Sequence, residues 1–151
     1  MSIQPQVSYG DEPTLPKRRV YFDYNGSDAL SSGSILCYDL SALDADGKPI
    51  VAKPLTADLS AVAGVYVGDQ GEGIAEDRWI DIVPADAYGH VVTVTVASAT
   101  YAENDGIKAA NDSFGGVAAT GDGNAAVVEP GFLGLCLDAG TLTSVAVLLT
   151  R

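Results

Sequence analysis

The chain has 151 residues, enough for one domain that buries roughly two-thirds of its unfolded surface without needing a disulfide or a metal. It carries 20 Asp and Glu against 8 Lys and Arg, a net charge of −12, and nearly all of the excess lies after residue 19. An acidic body repels nucleic-acid phosphates and anionic membranes, so neither is expected as a partner.

Composition points to a sheet protein. Hydrophobic residues make up 47% of the chain, much of it Ala and Val, beside 17 Gly. A helical bundle would draw instead on Leu, Glu and Lys. No run approaches 18 consecutive apolar residues, so no transmembrane helix is expected. The first residues lack the basic-then-apolar order of a signal peptide, so synthesis and use without export are expected.

Residues 1–17 hold Pro5, Pro13 and Pro16 and no periodicity, which predicts an extended N-terminal arm. The folded body is expected over 18–151. Val20-Tyr21-Phe22-Asp23-Tyr24 is β-prone and runs into an Asn25-Gly26 turn. Gly33–Leu40 is the second candidate strand. Asp44-Ala45-Asp46-Gly47 is turn chemistry, and Lys53–Leu59 reads as a connection with one short helical turn. Ala61–Val67 predicts a strand and Gly68–Asp77 a glycine-rich loop. Trp79–Pro84 predicts a short strand ended by proline.

His90–Val96 has the clearest pattern, with Val92, Val94 and Val96 on one face and Val91, Thr93 and Thr95 on the other. Residues 103–126 are rich in Asn, Asp, Gly and Ala and predict a long surface excursion, with one short strand at Gly116–Ala119. Gly131–Leu137 and Thr143–Leu149 close the chain around an Asp138-Ala139-Gly140 turn. The expected fold is all-β, a single compact β-barrel or sandwich of about eight short strands. No internal repeat is visible.

Little in the chain suggests catalysis. The single histidine, His90, stands at a strand end, and no Gly-x-Ser-x-Gly nucleophile elbow is present. Cys37 and Cys136 lie in apolar runs and read as buried thiols. Gly68-Asp69-Gln70-Gly71-Glu72-Gly73 has the glycines of a phosphate loop, but its acids oppose phosphate and no Lys-Ser/Thr follows. A calcium loop starting at Asp44 would need a bidentate Glu where Leu55 stands. Asp69, Glu72, Glu76 and Asp77, or Glu103, Asp105 and Asp112, read as solvated acidic faces. No enzyme activity, cofactor or metal is therefore expected.

Binding is the remaining class. The basic cluster Lys17, Arg18 and Arg19, with Val20, Tyr21 and Phe22 as the anchor strand after it, is the candidate partner-binding segment.

Gly33-Ser34-Ile35-Leu36-Cys37-Tyr38-Asp39, Lys53-Pro54-Leu55-Thr56, Ala63-Gly64-Val65, Trp79–Pro84, Gly131–Gly134 and Thr143–Leu149 follow one another in an order that resembles the small capsid decoration, or cement, proteins of tailed bacteriophages. The resemblance spans roughly residues 18–151 as short motifs. It implies an enzymatically inert virion protein on the outer capsid surface, assembled as a homotrimer and bridging subunits of the major capsid protein through its N-terminal arm. The alternative from a different structural class is a phage tail or fibre component, or a host-surface-binding β-module using the loops at 68–77 and 103–126. A carboxylate-based hydrolase is the third reading.

Overall fold

The computed structural model describes residues 14–41, 47–120 and 129–150. The arm at 1–13, the acidic turn Asp44–Asp46 and part of the excursion, 121–128, lie outside the described residues.

The described residues contain ten strands: β1 (Arg18–Phe22), β2 (Ile35–Tyr38), β3 (Ile50–Ala52), β4 (Val62–Tyr66), β5 (Arg78–Pro84), β6 (Val91–Tyr101), β7 (Gly106–Ala109), β8 (Gly116–Ala118), β9 (Phe132–Cys136) and β10 (Gly140–Leu149). The fold is all-β, as the composition implies. The expected single barrel of about eight strands resolves into two closed five-stranded barrels, β1 to β5 and β6 to β10. The short helical turn in the connection is a 3-10 turn at Thr56–Asp58.

Two strands escape the sequence reading. β3 lies in the stretch between Pro49 and Pro54, and β7 lies inside the supposed surface excursion. Ile107 and Ala109 of β7 are in fact fully buried. Both are short strands held by neighbours on two sides rather than by their own propensity.

The barrels are two copies of one design. In the first, β1 pairs in parallel with β3 and antiparallel with β5, β2 pairs antiparallel with β3 and β4, and β4 pairs antiparallel with β5. In the second, β6, β7, β8, β9 and β10 take those same places in turn, with the same directions.

The registers agree as well. Leu36 sits opposite Gly64 and Cys37 opposite Val62, so β4 bulges at Ala63; Ile107 sits opposite Gly134 and Lys108 opposite Phe132, so β9 bulges at Leu133. The turns before β2 and β7 repeat atom for atom. Ser34 N–H donates to the Ser31 carbonyl at 3.1 Å while its hydroxyl accepts the Ser31 N–H. Asp105 N–H donates to the Ala102 carbonyl at 3.1 Å while its carboxylate accepts the Ala102 N–H. Gly33 and Asn104, at matching places, both take positive φ, +90° and +72°. These correspondences reveal the internal repeat that the sequence conceals.

The barrels meet where barrel one enters the wall of barrel two. In the first barrel the parallel seam is closed by Tyr21 N–H donating to the Pro49 carbonyl at 2.9 Å. Thr95 and Phe114 hold the matching places in the second barrel, but there the two do not bond each other, and β6 meets β8 only at Val96 and Gly116. Thr95 N–H donates to the Gly33 carbonyl and Ile35 N–H to the Phe114 carbonyl, both at 2.9 Å. The segment 33–35 therefore fills the gap between β6 and β8. A Cβ on Gly33 would lie 2.6 Å from the Thr95 hydroxyl, so only glycine passes there.

Ile35, Cys37, Val65 and Val83, on the outside of the first barrel, belong to one core with the interior of the second: Val92, Val94, Ile107, Leu133, Val145 and Val147. Val20, Phe22, Leu36, Val51, Tyr66, Ile80 and Ile82 fill the first barrel itself. Burying a side chain such as Ile35 or Val65 stabilises by about 1.5–3 kcal/mol.

Gly64 and Gly134 occupy the same position in the repeat, and a Cβ on either would collide with the carbonyl oxygen of the adjacent strand, Val83 or Leu148. Since the obstacle is backbone and cannot rotate away, Gly64→Ala and Gly134→Ala are each expected to cost about 3 kcal/mol. Both midpoints in urea denaturation should fall. A midpoint held by either variant would show that the two close approaches are not equivalent.

Candidate functional site: the mouth of the first barrel

The basic segment does not form a basic patch. Lys17 pairs with Asp69, Arg18 with Asp86 at 3.5 Å, and Arg19 with Asp81 at 2.8 Å. Three acids from the β4–β5 loop, β5 and the linker thus divide the cluster between them. Val20 and Phe22 are 0% and 1% exposed and act as core rather than as contact residues. Alternation explains this, because Val20 faces Ile80 across the sheet inside the barrel while Arg19 and Tyr21 point out. Of the six residues singled out in the sequence, Lys17, Arg18, Arg19 and Tyr21 keep surface.

Arg18 differs from its neighbours. It opens β1 on the inward-pointing side, level with Ile82, so its guanidinium lies at the open end of the barrel. There it lines a cleft of about 360 Å³ with Tyr38, Val62, Ala63, Ala85, Asp86 and Tyr88. The Tyr38 hydroxyl accepts from Arg18 at a long 3.4 Å, and Asp86 stands at 3.5 Å. Tyr38 first and then Asp86 push the guanidinium above its ordinary value. It therefore stays charged, and these long contacts leave room for a shorter partner. Tyr88 is 57% exposed at the rim. Four chain segments supply this lining, and only Arg18 was legible as a candidate. Tyr38 was legible only as part of the Gly33–Asp39 strand, and Asp86 and Tyr88 carry no motif that could have marked them.

A second cleft, of about 380 Å³, lies between the barrels and is lined by Ser27, Asp28, Lys53, Asp112, Ser113 and Phe114 among others. Its chemistry is internal. The Lys53 ammonium, only 7% exposed, bridges Asp28 of the first barrel and Asp112 of the second. Thr56 N–H donates to the Asn111 side chain at 2.8 Å, and Asp112 N–H to the Pro54 carbonyl at 2.8 Å. Together these bonds clamp the β3–β4 connection to the β7–β8 turn.

The acidic residues weighed as ion ligands are dispersed. Glu72 accepts the Ser32 N–H, Asp77 the Tyr24 N–H and Asp105 the Ala102 N–H. Among the described residues no group of three His, Cys, Asp or Glu is placed to hold a metal. The loop at 68–73 is tied down from within: the buried Tyr66 hydroxyl donates to the Gly71 carbonyl at 2.6 Å and accepts the Gln70 N–H at 2.9 Å. His90 is half-buried at the start of β6, its N–H on the Ala87 carbonyl and its carbonyl on Leu149 N–H.

Both cysteines are buried and free. Burial pushes the Cys37 thiol up to about 12, with Asp58 adding to the effect, and burial also raises Cys136. At pH 8 the Cys37 thiolate is then about one part in ten thousand. Neither thiol should react with an aromatic disulfide reagent in the native protein, and both should react once it is unfolded. Rapid native labelling of either would overturn its assignment to the core.

The clamp makes stability depend on pH. Lys53 holds Asp28 below the ordinary 3.8, and Asp112, then Asp28, hold Lys53 above the ordinary 10.5. Asp28 thus adds stability above its unfolded value, lost as pH falls through its lowered folded value. Lys53 adds stability below its own unfolded value, lost as pH rises through its raised folded value. Lys53→Met is expected to lower the urea midpoint at pH 7, and its deficit relative to the native chain should shrink in strong acid. A deficit independent of pH would assign the loss to packing alone.

Comparison with protein-family models, curated proteins and solved structures finds no match to this chain.

Proposed function

We propose that this protein is a virion structural protein that decorates and stabilises the outside of a phage capsid by bridging major capsid subunits. The observation that carries the reading is the mouth of the first barrel. Residues 1–17, read from the sequence as an arm, lead into β1, and the chain enters the barrel at Arg18, the cation that lines the cleft. A partner bound by the arm is thus led to Arg18 and Tyr88, an arginine and an exposed tyrosine, two residue types enriched at interface hot spots.

The motif order at Gly33–Asp39, Trp79–Pro84 and Thr143–Leu149 supports the same reading through its resemblance to cement proteins. The acidic body suits a place outside the shell, away from packaged DNA. In this reading the protein does no chemistry, takes no cofactor, nucleic acid or membrane, and self-associates as a homo-oligomer, a trimer by the resemblance. A lattice offers many copies at once, so a modest contact per subunit is sufficient.

The alternative is a tail or fibre component, or a host-surface-binding β-module. It draws on the half-buried Tyr21 and the exposed Trp79, whose rings meet edge-on at 5.5 Å, since aromatic side chains are also what grips sugar.

Cosedimentation of the purified protein with capsids that lack it separates the two. Saturable binding is expected, and removal of residues 1–13 or Arg18→Glu should each weaken it about tenfold or more. Undiminished binding by both variants would overturn the assignment of the mouth and arm. Absence of binding by the intact chain, with retention on host cells or glycans, would replace the capsid reading by the alternative.

A further inference from the structure

We propose that a second copy of this chain docks on the outer face of β7, β9 and β10, head to tail, through surfaces that correspond to those joining the two barrels within one chain. The proposal names the surfaces of the self-association put forward above and rests on that part of the reading, while its test needs no capsid.

The repeat supplies the argument. In the first barrel the outward row Ile35, Val65 and Val83 runs across β2, β4 and β5 and is entirely buried against the second barrel. The corresponding row in the second barrel is Gly106, Leu135 and Leu148, across β7, β9 and β10. It continues to Val91 on β6, which pairs with Leu148 and is 46% exposed. Leu135 and Leu148 are half-buried. Where Val91 stands, the first barrel has Lys17, a residue suited to water and paired with Asp69. The second barrel has thus kept an apolar stripe at the place where the first barrel is docked, and extended it by one residue.

A receiving surface is present at the other end. Within the chain, Thr95 and Phe114 of the second barrel receive Gly33 and Ile35. Their counterparts are Tyr21 and Pro49 of the first barrel. Around them lie Ile50, paired with Tyr21, and Trp79, 40% exposed and packed edge-on against the Tyr21 ring. The Lys48 ammonium lies 4.5 Å from the centre of that ring. An aromatic centre with charged groups around it is the composition of a protein-binding face.

The intermolecular contact is shallower than the internal one, in which Ile35, Val65 and Val83 share a core with the interior of the second barrel. The seam between β1 and β3 is closed by the Tyr21–Pro49 bond, so no strand can enter it. The second copy meets side chains only, and the association is reversible and concentration-dependent. Because the two faces lie on different barrels, the contact is heterologous and builds a ring or an open chain, not a twofold dimer. Each copy carries −12, so mutual repulsion opposes the contact at low ionic strength and salt relieves it.

Sedimentation equilibrium of the full chain over a range of concentrations, in low and moderate salt, tests this. The native chain should associate, more strongly in the higher salt. Val91→Glu and Trp79→Ala change exposed side chains on opposite faces, and each should weaken association about tenfold or more. Mixing the two variants should restore a one-to-one pair, since each retains the face the other lacks. A native chain that stays monomeric throughout overturns the proposal, as does undiminished association by either variant. A mixture that remains monomeric overturns the head-to-tail arrangement. Loss of capsid binding by Val91→Glu in a monomeric protein would give the stripe to the capsid instead. Failure to bind capsids, by contrast, leaves the self-association result untouched.

Discussion

Two backbone hydrogen bonds, Thr95 to Gly33 and Ile35 to Phe114, hold the rest of the molecule in place. They fill a gap that the second barrel does not close by itself. β6 and β8 pair at only one position, Val96 with Gly116, whereas β1 and β3 pair at two. Without the inserted segment, the seam of the second barrel would expose unpaired backbone groups and the interior valines beside them. The first barrel is therefore part of the wall of the second, and the two are expected to unfold together.

That dependence explains where the two barrels differ. Inside the first barrel Val51 occupies a wall position whose counterpart in the second is Gly116. A Cβ on Gly116 would lie 2.9 Å from the Cδ1 of Ile35. The volume lost from valine to glycine is thus supplied by an isoleucine from the other barrel. Core substitutions are tolerated when total volume is kept, and here it is kept across the junction rather than within one copy. Lys53, reaching from the first barrel to Asp112 in the second, adds a polar tie beside this apolar one.

The repeat was illegible in the sequence because what it preserves is backbone geometry. Ser34 and Asp105 make the same turn with different side chains, and Gly33 and Asn104 share positive φ as different residues. Gly64 and Gly134 persist because a carbonyl leaves no room for a Cβ. Hydrophobic alternation did reveal β6, whose buried and exposed residues follow the valine and threonine faces. It could not reveal β7, where Ile107 is the one strong strand former and the neighbours impose the conformation.

The candidate site was legible only in part, and for a related reason. Lys17, Arg18 and Arg19 read as a unit because they are adjacent in sequence, but adjacency along a strand sends successive side chains to opposite faces. Their partners Asp69, Asp86 and Asp81 lie more than fifty residues away. What distinguishes Arg18 is its place at the end of a barrel, a property of closure and not of local sequence.

The two copies also share out their surfaces unequally. The first barrel uses its β2–β4–β5 face against the second and leaves its mouth, lined by Arg18, Tyr38 and Tyr88, open. The second barrel leaves the matching face, Leu135, Leu148 and Val91, uncovered. Two like barrels docked head to tail necessarily leave one such face over, because a heterologous contact between two units satisfies one donor face and one receiving face and frees the other pair. In a solenoid the terminal faces are made polar to end the array. Here Asn104, Asp105 and Lys108 bring polarity to one end of the free face, while Val91 and the leucines keep the other end apolar. A face only half converted is suited to weak, reversible contact rather than to a permanent complex, because obligate interfaces are the more apolar ones.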